Sequence, residues 1–130
     1  MKHILVKCSL DRYRGYTFID DTVRAILLSQ DSNIFNEETY NLSSGIKTTV
    51  KELLDKIFFA FGEKASYPVK EIQDTLGDSL GFHADISKLN EELSWYLATS
   101  LEKGLKYHAY WVKCIPSIEG LSSSHPFKID

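Results

Sequence analysis

Apolar residues recur at three- and four-residue steps in the middle of the chain, a spacing that predicts an amphipathic helix. This helix begins at Thr49–Glu52, which has the spacing of a capping box, and ends before Gly62. Its apolar positions are Val50, Leu53, Leu54, Ile57, Phe58 and Phe61. We expect this stripe to belong to the hydrophobic core.

Three further stretches show weaker helical periods. One starts at Thr22, with Val23, Ile26 and Leu27 on one face. A short one covers 89–93 with Ser87 as its cap, and a final one begins at 99–102 and ends before Pro116. Trp95 and Trp111 are expected to be buried against neighbouring helices.

Short runs rich in β-favouring residues predict strands between these helices. The predicted strands are Ile4–Val6, Tyr16–Ile19, Thr39–Leu42 and Tyr67–Ile72. Residues 74–82 contain two glycines and are expected to form a loop. The pattern predicts one small mixed α/β (α+β) domain of about four helices and short strands, at 1–116, followed by a tail at 117–130.

Two adjacent carboxylates, Asp20 and Asp21, stand where the second predicted strand meets a helix. Neighbouring side chains at a helix start diverge by about 100°, so these two do not converge on one metal ion or one proton. We therefore expect them to cap the helix and to interact favourably with its dipole rather than to catalyse a reaction.

Composition excludes several classes of protein. The 130 residues carry a formal net charge of -3 and contain no basic block, so neither nucleic acid nor an anionic membrane is an expected partner. No apolar run reaches the ~18 residues of a membrane span, and no signal peptide is apparent, so we expect a cytoplasmic protein. Cys8 and Cys114 are expected to be free thiols, since their spacing fits neither a zinc site nor a disulfide framework.

Motifs of catalysis and of cofactor binding are missing from the sequence. It has no GxGxxG for a dinucleotide, no P-loop, no HExxH and no GxSxG. No tyrosine is followed four positions later by lysine. The residues alone therefore indicate a small α/β domain without catalytic residues and without a metal site.

Four segments stand in order along the chain: KHILVKCSLDRYRGYTFIDDTVRAIL, TYNLSSGIKTTVKELLDKI, GDSLGFHADISKLNEELSW and TSLEKGLKYHAYW. They resemble KPITVYGDGxQxRDFxYVDDVVxAI, xYNIGSGxxxTVxELxxxI, GDxxxxxADxSKAxxxLGW and TSLEEGLxxTVxW. These are motifs of the extended short-chain dehydrogenase/reductase superfamily, the NAD-dependent nucleotide-sugar epimerases and dehydratases. The sequence is most similar to UDP-glucose 4-epimerase-like members, and the similarity covers only their C-terminal part.

This resemblance implies a substrate-binding domain that holds the nucleotide half of a sugar nucleotide, with a UDP-sugar favoured. The family's Rossmann domain, which binds NAD and carries the catalytic Tyr-x-x-x-Lys, has no counterpart here, so the chain alone is expected to be inactive and to bind no cofactor. By resemblance, Leu5, Val6 and Lys7 pass the base with their backbone, Arg14 meets the diphosphate and Asp78 approaches the ribose.

Three departures from the family pattern leave a second hypothesis open. The family's glycine-bearing turn is Cys8-Ser9-Leu10 here, its Arg-Asp pair is Arg14-Gly15, and Thr75 stands where some members have a second diphosphate arginine. The alternative is a non-catalytic interaction module that keeps the scaffold without binding the ligand. Its exposed interdomain face would favour a homo-oligomer.

Overall fold

The computed structural model describes residues 3–7, 9–31, 38–63, 68–73, 77 and 79–114. In these ranges the helices are α1 (Ile19–Asp31), α2 (Val50–Phe61), α3 (Ser87–Leu93) and α4 (Leu101–Cys114). The strands are β1 (Ile4–Val6), β2 (Tyr13–Arg14), β3 (Thr48–Thr49) and β4 (Val69–Glu71). The predicted mixed α/β class is confirmed, while the proposed boundary at residue 116 lies outside the described residues.

The strands form two small sheets. β1 pairs in parallel with β4, placing Ile4 opposite Val69, and β2 pairs antiparallel with β3, placing Arg14 opposite Thr48. The predictions of β1 and of a strand within 67–72 are thereby confirmed.

Two other predicted strands are wrong. Residues 16–18 have no regular structure, and α1 already begins at Ile19, because Phe18 packs its ring against α4 at Gly104 and Tyr107. Residues 39–42 are also irregular. There the Asn41 amide donates a hydrogen bond to the Asp85 carbonyl, at 3.1 Å, so side-chain contacts replace a strand ladder.

Helix α2 has the predicted ends. The Thr49 hydroxyl accepts from the Glu52 N–H at 3.1 Å, the Glu52 carboxylate accepts from the Thr49 N–H at 2.7 Å, and Gly62 ends the helix with φ 82°. The prediction that its apolar stripe is core is wrong, because no residue of α2 is fully buried. The stripe packs on α4 and stays half-buried.

The core lies instead between α1, α3 and the segment before α4. Ala25, Leu89 and Trp95 form its buried centre. Trp95 is 0% exposed, which confirms its predicted burial, whereas Trp111 is 59% exposed and its predicted burial is wrong. Trp111 lies on the outer side of α4, where its ring meets that of His108.

Helix α1 turns its larger apolar side chains away from this core. Asp21 and Ala25 face inward and are buried, whereas Ile19, Val23, Ile26 and Leu27 are 45 to 62% exposed. The spacing of these four residues places them on one side of the helix. We call them the α1 outer face.

Candidate functional site

The first predicted site element is strand β1. Val6 is buried, while the Leu5 and Lys7 side chains are exposed. In the described part of the chain the only sheet partner of β1 is β4, and the Val6 carbonyl accepts from the Ile72 N–H at 2.9 Å. Among the described residues no strand pairs with the other edge of β1, to which the Leu5 N–H and C=O groups point.

Arg14 lies on β2 and is half-buried. Its Nη1 donates to the Tyr13 carbonyl at 2.8 Å, and its guanidinium carbon lies 4.7 Å from the centroid of the Phe82 ring. The Arg14 side chain is thus positioned by a hydrogen bond to the Tyr13 carbonyl and by contact with the Phe82 ring. Arginine fixed in this way is suited to a charge-assisted contact with phosphate oxygens.

The segment that follows the Gly-Asp motif, Gly77-Asp78, is bonded to the strand that carries Arg14. The Tyr13 N–H donates to the Leu80 carbonyl at 3.2 Å, and Tyr13 forms a parallel bridge with Gly81. Gly77 has φ 84°, a left-handed conformation that glycine adopts without a Cβ clash. Asp78, predicted to approach the ribose, and Thr75 lie outside the described residues.

A separate cavity lies away from these residues. It has a volume of about 510 Å³ and lies between α2, α4 and the segment preceding α1. Its lining residues are Tyr16, Thr17, Phe18, Ile19, Leu53, Ile57, Phe61, Thr99, Ser100, Leu101, Gly104, Leu105 and His108. None of Leu5, Val6, Lys7 and Arg14 lines it, so these predicted site residues lie outside this cavity.

Asp20 and Asp21 differ sharply in their surroundings. Asp20 is exposed, whereas Asp21 is 1% exposed and its carboxylate accepts from the Ala98 and Thr99 N–H groups at 3.1 and 2.9 Å. The prediction that Asp21 caps its own helix is wrong, because these amides belong to the segment before α4. Arg24 also donates to this carboxylate, at 2.7 Å.

The electrostatics of Asp21 follow from these contacts. Burial by itself would raise the pKa of the carboxyl, but the Ala98 and Thr99 N–H groups and the charge of Arg24 hold it below its ordinary value. Trp95 adds a further link, since its Nε1–H donates to the Asp21 carbonyl at 3.0 Å. Asp21 therefore joins α1 to residues 95–99 through both its carboxylate and its carbonyl.

Sequence reasoning missed two residues beside Arg14, namely Gly81 and Phe82. Both fall in the stretch predicted only as a loop, and the glycine itself was the one available signal of a close backbone approach. Across the described ranges, no three His, Cys, Asp or Glu side chains are grouped as metal ligands would be. Those ranges also hold no helix long and apolar enough to cross a membrane.

Comparison with curated proteins gives enzymes that are named for nucleotide-linked sugars. The dTDP-4-dehydro-6-deoxyglucose reductase of Escherichia coli is 29% identical over 107 residues, which cover 82% of this chain and 33% of the relative. GDP-mannose 3,5-epimerase 1 of Oryza sativa subsp. indica is 28% identical over 100 residues, covering 77% of this chain and 25% of the relative. No protein-family model matches the chain.

Comparison with solved structures likewise gives enzymes that are named for nucleotide-linked sugars. The UDP-glucose 4-epimerase of Thermotoga maritima, with UDP-glucose bound, matches 86% of this chain with a TM-score of 0.75 and 28% identity, over 35% of its own chain. The resemblance to the extended short-chain dehydrogenase/reductase superfamily is confirmed. The UDP-glucuronic acid 4-epimerase of Bacillus cereus, in complex with UDP-glucuronic acid and NAD, shares the fold at 20% identity with a TM-score of 0.77.

The extended short-chain dehydrogenases and reductases matched here are much longer than this chain. The chain spans 25 to 33% of the curated relatives and 35% of the two epimerase structures. UDP-glucose accompanies the Thermotoga maritima structure, and UDP-glucuronic acid and NAD accompany the Bacillus cereus structure.

Proposed function

We propose that this chain is a nucleotide-sugar-binding domain that holds the nucleoside diphosphate half of its ligand. The observation that carries the proposal is Arg14, fixed by Tyr13 and Phe82 on the strand that is also bonded to the segment following the Gly-Asp motif. In this assignment the guanidinium meets the diphosphate, and Asp78 meets the ribose hydroxyls.

The base is assigned to strand β1. In this assignment Leu5, Val6 and Lys7 pass the base, and the Leu5 N–H and C=O groups, which point away from β4, match the hydrogen-bonding edge of a nucleobase. A UDP-sugar is the favoured ligand, since the epimerases of similar fold are crystallised with UDP-glucose and UDP-glucuronic acid. The sequence contains neither GxGxxG nor Tyr-x-x-x-Lys, so the role proposed for these residues is binding without hydride transfer.

Replacing Arg14 tests this assignment. We expect Arg14→Ala to weaken UDP binding about ten-fold or more, because a charge-assisted hydrogen bond contributes about 1.5–3 kcal/mol. Arg14→Lys should restore only part of the affinity, since lysine keeps the charge and loses the planar fork. Isothermal titration calorimetry with UDP measures both changes.

Two controls separate a phosphate contact from a general loss of structure. Lys106→Ala removes an exposed cation on α4 and should leave UDP affinity unchanged. Uridine lacks the diphosphate, so its weaker binding should be the same in wild type and Arg14→Ala. Absence of binding heat from wild type at millimolar UDP contradicts the proposed function.

The partner proposed for the α1 outer face is the Rossmann domain of the longer relatives. Ile19, Val23, Ile26 and Leu27 make one side of a surface helix apolar, and such a patch marks an interaction site. These relatives are about two and a half times as long as this chain, and the proposal assigns the α1 outer face to the part of them that lies outside the match.

The same face supports the alternative of a self-associating module without ligand binding. In that case Ile26→Lys should lower the fraction of dimer in sedimentation velocity, because burying an unpaired charge is unfavourable. Phe59→Lys, at another exposed apolar position on α2, is the matched control and should leave the dimer fraction unchanged. A wild-type protein that stays monomeric up to millimolar concentration excludes this alternative.

A further inference from the structure

The guanidinium of Arg14 lies over the ring of Phe82 at the candidate site. The separation of 4.7 Å between the guanidinium carbon and the ring centroid lies within the range of cation–π contacts. Phe82 is 63% exposed, so the ring is not held there by burial in the core. Among the described residues, Arg14 contacts the π face of this ring.

The backbone around Phe82 is fixed by its neighbour Gly81. A Cβ atom at Gly81 would lie 2.7 to 2.8 Å from three carbons of the Tyr13 ring, closer than carbon atoms approach, so the ring packs directly on the glycine backbone. The hydrogen bond from the Tyr13 N–H to the Leu80 carbonyl holds the same two segments together. Successive side chains of a strand point to opposite faces, so Tyr13 packs on Gly81 while Arg14 is directed to Phe82.

Stacking and hydrogen bonding use different parts of a guanidinium. The aromatic ring contacts its flat face, whereas its N–H groups donate in the plane of the group. A ring placed against the face therefore orients the N–H donors without competing for them. The Nη1 bond to the Tyr13 carbonyl fixes one further direction in that plane.

We propose that Phe82 is a positioning residue for Arg14, which holds the guanidinium plane in the orientation that meets a nucleoside diphosphate. This inference rests on the proposed function and adds a residue that neither the sequence motifs nor the comparisons assign. Phe82 acts on the ligand through Arg14, and the aromatic ring is the property required at this position.

A double-mutant cycle on UDP affinity tests the proposal. Phe82→Leu keeps an apolar side chain without a π face and should weaken UDP binding about three-fold, in line with an exposed cation–π contact. Phe82→Tyr keeps the ring and should bind UDP as wild type does. In an Arg14→Ala background, Phe82→Leu should cause no further loss, because its effect passes through Arg14.

Two additional measurements distinguish a positioning role of Phe82 from direct contact of Phe82 with the ligand. Uridine affinity should be the same in wild type and Phe82→Leu; an equal loss for uridine and UDP means that Phe82 contacts the nucleoside directly and overturns the proposal. The Arg14 Nε–H signal in NMR should show a ring-current shift in wild type and Phe82→Tyr that is lost in Phe82→Leu. Its absence from wild type also overturns the proposal.

The failure of this inference is distinguishable from failure of the proposed function. If wild type binds no UDP, both are wrong. If wild type binds UDP and Phe82→Leu binds it equally well, only the positioning role is wrong.

Discussion

Replacing Asp21 with alanine is expected to lower the free energy of unfolding by about 3 kcal/mol, which makes it one of the most damaging single changes in the chain. The substitution leaves the N–H groups of Ala98 and Thr99 without their acceptor in a part-buried segment. Arg24 is partly exposed, so the loss of its ion pair with Asp21 adds little. Urea denaturation followed by circular dichroism measures the change.

The adjacent residue supplies the control for this prediction. Asp20 is exposed, so Asp20→Ala should change the free energy of unfolding by no more than about 0.5 kcal/mol. Equal midpoints for the two variants contradict the role given to Asp21. Asp21→Asn should fall between them, because an amide oxygen can accept only part of the hydrogen bonds of a carboxylate.

Acid should remove the same contribution. The pKa of Asp21 is lower in the folded protein than in the unfolded chain, so its stabilisation is fully present above about pH 4 and is lost as the pH falls through the lowered pKa. The pKa values of Glu52 and Asp85 are also held low, by hydrogen bonds from Thr49 and Ser87, and add to the acid sensitivity of every variant. The difference between wild type and Asp21→Ala should therefore shrink in acid.

Replacing Trp95 with alanine is expected to cost about 3–5 kcal/mol of unfolding free energy. The indole is fully buried in the small core with Ala25 and Leu89, and its N–H is bonded to the Asp21 carbonyl. The substitution removes both the largest fully buried side chain of the described residues and this link between α1 and the segment before α4. Thermal and urea unfolding measure the loss.

The second tryptophan provides a matched control in the same chain. Trp111→Ala deletes the same side chain at a position that is 59% exposed, so its cost should be within about 1 kcal/mol. If Trp111→Ala destabilises the protein as much as Trp95→Ala does, the assignment of the core is wrong. Tryptophan fluorescence should also lie further to the blue in Trp111→Ala than in Trp95→Ala, because only Trp95 is shielded from water.

Elements whose signals are local were predictable from the sequence. Helix α2 has its capping box, its apolar period and its glycine stop within 49–62, and the structure reproduces each of them. How deeply this helix is buried was not predictable, because an apolar stripe does not reveal how much protein lies opposite. The α2 stripe is only half-buried, and the α1 outer face is exposed.

Contacts between distant residues account for the missed parts of the site. Asp21 carries a local capping signal, yet its carboxylate bonds to amides at Ala98 and Thr99, far along the chain. The contact of Arg14 with Phe82 likewise depends on the pairing of Tyr13 with Gly81. The sequence alone does not reveal which residues of two distant segments pair with each other. The motif order indicated Arg14 but could not show what holds it.

The parallel pairing of β1 with β4 has a consequence for how the chain reaches its fold during synthesis. β1 precedes its partner by two helices, so the β1 backbone has no strand to pair with until Glu71 has left the ribosome. A parallel pair closed over so long a loop forms slowly compared with local helices. Helix α2 should therefore form first, and the edge of β1 proposed to meet the base should be one of the last features to be completed.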